Sequence, residues 1–69
     1  LRKWLRAIRE NNGLSQKEVA GSTDITVQHY NYIENGERRP SPEIARKIAA
    51  VLGFEWTRFY EEESSHETA

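Results

Sequence analysis

The chain has 69 residues, 30% of them charged, with no cysteine and a formal net charge of −1. A chain this short builds one small core and no second, and only about 60% of the unfolded surface leaves water. The missing cysteines exclude a disulfide scaffold and a zinc finger, and no apolar run approaches the ~20 residues of a membrane helix.

The N-terminus lacks the apolar centre of a signal peptide, so the expected home is the cytoplasm, with no membrane partner. Leu1 is not a start residue, and the chain is expected to be trimmed or processed. The net charge hides a split. All ten Lys and Arg lie at or before Arg58 with seven of the eleven acids, so residues 1–58 carry +3 and the remainder −4. The acidity belongs to the tail, and the body is mildly basic.

Leu1, Trp4, Leu5 and Ile8 recur at helical spacing with Arg2, Arg6 and Arg9 off that stripe, which predicts an amphipathic helix over residues 1–12. Trp4 is expected in the core. Gly13 ends the helix and Leu14 supplies the apolar contact that follows such a cap.

Ser15 and Glu18 have the spacing of a capping box and set the next helix start. Val19 and Ala20 face inward, and Ala20 is small enough for close approach of the following helix. Gln16 and Lys17 stand in the first turn, where free amides favour a phosphate; the alternative is an ordinary solvated surface. The run Gly21, Ser22, Thr23, Asp24 and Ile25 is too polar to extend the helix, and the chain is expected to turn there.

Thr26 caps a further helix, closed by Asn35-Gly36. At about 100° per residue Tyr30 and Ile33 share the inner side, while Gln28, Asn31, Tyr32 and Asn35 share the outer one. That outer face is almost uncharged. Surface helices usually display Lys and Glu, whereas amides and a phenol suit contacts with base edges; the alternative is a polar solvated face. With no arginine on this face, the expected site leans toward A·T, with Gln28 on an adenine and Tyr32 beside a thymine methyl.

Arg38 and Arg39 follow in the loop, placed for phosphates and, compatibly, for the negative end of the helix. Ser41-Pro42-Glu43 is a strong helix start, with Ile44, Ala45, Ile48, Ala49, Val51 and Leu52 as its buried stripe and Gly53 as its stop. Phe54, Trp56, Phe59 and Tyr60 predict a last helix over about Glu55 to Glu62, folded onto the core or serving as a subunit contact. Residues 1–60 are read as one domain and 61–69 as an acidic, disordered tail.

The segments LRAIRENNGLSQKEVA, IT…YIENGERRPS and IARKIAAVLGF, in this order, resemble the Cro and phage-repressor (XRE) helix-turn-helix family from about Leu5 to Tyr60. The resemblance implies an all-α, lambda-repressor-like domain of five short helices whose third helix reads double-stranded operator DNA, usually as a homodimer. It implies base-reading positions at Val27, Gln28 and Tyr32 with His29 and Asn31 as neighbours, and phosphate contacts at Gln16, Asn35, Arg38 and Arg39. It further implies a structural ion pair between Arg9 and Glu34. Two positions depart from the family pattern: Asp24 stands where glycine is common, and Tyr30 replaces a smaller aliphatic residue. Asp tolerates a left-handed turn, whereas Tyr30 needs room and a partner for its hydroxyl.

His29 and His66 belong to no metal or nucleophile motif, so neither a cofactor nor an enzyme is expected. The expected function is a sequence-specific transcriptional regulator, a repressor. The alternative on the same scaffold is a protein-interaction module, such as an antitoxin-like partner, using Trp56, Tyr60 and the acidic tail.

Overall fold

In the computed structural model, which describes residues 1–61, the chain is helical throughout, with no strand among the described residues. The helices are α1 (Lys3–Asn11), α2 (Gln16–Ser22), α3 (Val27–Glu34) and α4 (Pro42–Leu52), followed by a short α5 over residues 58–61. The expected tail, apart from Glu61, lies outside the described residues, as does the expected end of the last helix at Glu62.

Local chemistry accounts for most boundaries. Gly13, at φ +70°, lets its own amide and that of Leu14 turn back to Glu10 and Arg9, satisfying carbonyls that α1 would otherwise leave open. Ser15 accepts from the Glu18 amide at 3.1 Å while the Glu18 carboxylate accepts from the Ser15 amide at 2.9 Å. The Thr26 hydroxyl accepts from the His29 amide, and Ser41 from that of Ile44. Gly53 stops α4 in the left-handed region.

Three boundaries differ from the sequence expectation. α1 begins at Lys3 rather than at residue 1, because Arg2 leaves helical geometry to bond the end of α3, and Leu1 is left 64% exposed. Gly21 and Ser22 remain helical, so the turn into α3 is compressed into residues 23–26. There Asp24 takes φ +59°, and the Thr23 hydroxyl is buried and donates to the Val19 carbonyl. α5 starts after Glu55, because the Glu55, Trp56 and Thr57 carbonyls accept from amides three residues on, a tighter turn than the α-helix makes.

The core is Leu5 from α1, Val19 and Ala20 from α2, Tyr30 and Ile33 from α3, Ala45, Ile48 and Leu52 from α4, and Phe59 from α5. Each large side chain buried here contributes roughly 1.5–3 kcal/mol of transfer free energy. Trp4 is half-buried rather than enclosed, with its ring centroid 5.2 Å from both Phe54 and Phe59 in edge contacts. These contacts fasten the segment after α4 to α1, and the Arg58 guanidinium covers the indole from outside at 4.6 Å. α3 packs against both α1 and α2, and these contacts set which of its faces is left outward.

Candidate nucleic-acid interface

The first turn of α3 emerges from the Thr26 cap with Val27 47% exposed and Gln28 exposed beside it. His29 in the same turn, and Tyr32 a turn further along the helix, are half-buried. The Gln28 Nε2 donates to the Tyr32 hydroxyl at 2.9 Å, one helical turn away. The Arg38 guanidinium lies 5.7 Å from the centroid of the Tyr32 ring. Thr26, Gln28, His29, Tyr32 and Arg38 together line an open cleft of about 220 Å³. Arg39 is exposed in the same loop.

Behind this surface a polar chain ties three helices together. The Arg9 Nε and Nη2 donate to the two carboxylate oxygens of Glu34 at 2.8 and 3.1 Å, and the Arg9 Nη1 donates to the Leu14 carbonyl at 2.9 Å. Gln16 donates to Glu34 at 3.2 Å, Asn31 donates to Gln16 at 3.2 Å, and Asn35 donates to Asn31 at 3.0 Å. The relay therefore runs from a nearly buried carboxylate to the exposed flank of α3. Burial opposes ionisation of Glu34, but hydrogen bonds led by Arg9 outweigh it and hold its carboxyl below the ordinary glutamate value. The bond to Glu34 raises the Arg9 pKa against the opposing effect of burial.

Eight of the ten sequence-derived DNA-contact candidates fall into two groups, and Val27 and Arg39 line neither hollow. Gln28, His29, Tyr32 and Arg38 gather at one cleft. Gln16, Lys17, Asn31 and Asn35 line a second, larger hollow of about 560 Å³ with Arg6, Arg9 and Glu34. Within that group Gln16 and Asn31 already have side-chain partners inside the fold, and Lys17 is exposed.

Sequence reasoning missed Arg2. Its backbone amide donates to the Glu34 carbonyl at 2.8 Å, and its guanidinium donates to the carbonyls of Ile33 and, at 3.0 Å, Arg38. A cation thereby closes the negative end of α3 and holds the start of the arginine loop. No local pattern announces this contact, because its partners lie 31 and 36 positions away. Tyr30 is fully buried, and no group among the described residues meets hydrogen-bond geometry with its hydroxyl. Burial first, and the neighbouring Glu34 carboxylate second, push that phenol well above its ordinary pKa.

Among the described residues no cluster of His, Cys, Asp or Glu could hold a metal ion, and no helix is long and apolar enough to cross a membrane. The surface is instead a helix end with amide, imidazole and phenol groups, bordered by cations. A helix-turn-helix family model matches residues 5–59. The chain is 45% identical over 62 residues to an uncharacterized HTH-type transcriptional regulator, YqaF, of Bacillus subtilis, covering 90% of this chain and 82% of that protein. It is 34% identical over 50 residues to the HTH-type transcriptional regulator DdrOP3 of Deinococcus deserti, covering 72% of this chain and 39% of that longer protein. No solved structure gives a significant match. With the family model spanning most of the chain and a close relative aligned over nine-tenths of it, the chain belongs to the Cro/phage-repressor (XRE) family of helix-turn-helix proteins, a family of transcriptional regulators and not of enzymes.

Proposed function

We propose that this protein is a sequence-specific DNA-binding transcriptional regulator, acting in the cytoplasm as a repressor, with α3 inserted in the major groove of its operator. The observation that carries the reading is the outward face of α3. Val27, Gln28 and Tyr32 form a surface free of acidic side chains, and Arg38 stands directly against it. Amides and hydroxyls make paired contacts with base edges, whereas exposed cations bind phosphates without regard to sequence. In this arrangement Lys17, Arg38 and Arg39, with Asn35, hold the backbone, and α3 selects the bases. Gln16 and Asn31 support α3 through the polar relay and keep their remaining polar capacity for the duplex. Both relatives carry the name of a transcriptional regulator, which supports the same conclusion.

Repression follows from occlusion of a promoter by the bound protein. Binding as a homodimer requires two half-sites about one helical turn apart, related by two-fold symmetry. Selection from a random duplex library tests these points together. The expected result is a symmetric site rich in A·T at its selected positions, with one symmetric pair of positions relaxed by Gln28→Ala. An unchanged sequence preference in Gln28→Ala would overturn α3 as the reader, and failure to enrich any sequence would favour a protein partner.

A further inference from the structure

We infer that Tyr32 is a positioning residue for Gln28, so that the hydroxyl of Tyr32 governs selection at the base pair that Gln28 reads. This rests on α3 being the reading helix and adds how its readout is made specific. An exposed glutamine on a helix samples many rotamers, and a bidentate contact needs one of them. In this protein the Gln28 amide is anchored by its hydrogen bond to the Tyr32 hydroxyl at 2.9 Å.

The anchor is itself held. Tyr32 is half-buried, and the Arg38 guanidinium stands 5.7 Å from its ring centroid. The loop carrying that arginine is tied to α3 by the Glu37 and Arg38 amides, which donate to the Tyr32 carbonyl at 2.9 and 3.2 Å. The Arg38 carbonyl in turn accepts from Arg2 at 3.0 Å. Tyr32 is therefore a fixed post beside a side chain that would otherwise move freely.

The hydrogen-bond inventory is compatible with reading while anchored. An amide nitrogen carries two hydrogens, and the bond to Tyr32 uses one. The other hydrogen and the amide oxygen remain, which is the pair that accepts from adenine N6 and donates to adenine N7. The Tyr32 oxygen accepts from Gln28, so its own proton stays available to a neighbouring acceptor.

The test uses the selected operator and duplexes substituted singly at each position, with the parent, Gln28→Ala, Tyr32→Phe and the double variant. A good bidentate contact discriminates against a wrong base by roughly ten- to a hundredfold. Tyr32→Phe keeps the ring and its arginine but removes the anchor, and it is expected to cut discrimination at the Gln28 base pair at least severalfold. Added to Gln28→Ala it should cost nothing more at that pair. The thermal midpoint should stay unchanged in Tyr32→Phe and the lost discrimination should be confined to the Gln28 base pair, which a general structural defect would not allow. Additive effects, a relaxed preference at a different base pair, or full discrimination in Tyr32→Phe would each overturn the inference while leaving α3 as the reader. Unchanged preference in Gln28→Ala would instead overturn the reading helix and the inference with it.

Discussion

Arg9 and Glu34 stand 25 positions apart in the chain and meet as a two-pronged ion pair, with the side chains only 11% and 3% exposed. The pair joins α1 to the last turn of α3, so the orientation of the candidate reading helix depends on two charges withdrawn from water. Removing one partner strands the other, at a cost of about 3–5 kcal/mol, while replacing both by apolar groups is often neutral. Arg9→Met and Glu34→Leu are each expected to lower the urea midpoint sharply, and the double variant to recover most of the loss. Simple addition of the two losses would show that the pair is not energetically coupled.

Acid should loosen the same joint. The Glu34 carboxyl is held below its ordinary value of 4.5, so its contribution is complete above that value and is lost as pH falls through the lower folded value. In that window the unfolded chain binds the proton more readily, and stability therefore rises with pH. Glu18, held down by the Ser15 amide and then by its hydroxyl, acts in the same direction. Urea titrations from about pH 5 downward should show a shallower acid loss for Glu34→Gln than for the parent. Identical slopes would place the acid sensitivity elsewhere.

Tyr30 brings a polar atom into the core without a bonded partner among the described residues. An unsatisfied buried hydroxyl costs about 1–3 kcal/mol, and phenylalanine keeps the ring that fills the space. Tyr30→Phe is therefore expected to leave the thermal midpoint unchanged or raise it. A fall equivalent to more than about 1.5 kcal/mol would show that the hydroxyl makes a net stabilising bond with the Arg9–Glu34 pair.

Asp24 bridges α2 and α3 at φ +59°, a conformation that costs an L-residue roughly 1–2 kcal/mol and glycine almost nothing. Asp24→Gly should be neutral to mildly stabilising, by up to about 1 kcal/mol, since glycine also loses more freedom on folding. Asp24→Val should destabilise by about 2 kcal/mol, because β-branched residues tolerate this region worst. Equal midpoints for the glycine and valine variants would mean that the turn relaxes out of the left-handed region.

Arg39 is exposed beyond the end of α3 and is not among the residues that line the Gln28 cleft. As a phosphate contact its loss should weaken binding to operator and random duplex alike and lower the salt slope by about 1 per lost contact. Affinity measured over a salt series for Arg39→Ala checks this. Loss of preference at a single base pair would make Arg39 a base reader.

The sequence by itself determined the helix boundaries that are closed by near neighbours. The Ser15–Glu18 box, the Thr26 and Ser41 caps, Gly13 and Gly53 all satisfy open backbone groups within five residues, so spacing alone exposes them. The inner stripe of α3 was legible for the same reason, because periodicity assigns Tyr30 and Ile33 to one side whatever they pack against. The Gln28–Tyr32 bond was within reach too, since four-residue spacing makes the two side chains neighbours on the helix surface.

Tertiary structure alone decided which distant polar groups become partners. Arg2 could have continued the amphipathic stripe of α1, but the open carbonyls at the end of α3 offer its amide and guanidinium more, and the helix starts later. By sequence Gln16 is a first-turn residue open to a phosphate or to solvent, and only folding places Glu34 beside it and gives it Asn31 as a second partner. The physical reason is the same in each case. Local hydrogen bonds form between groups the backbone already holds together, whereas a long-range polar contact exists only after the apolar core has brought its two ends within about 3 Å and removed the competing water.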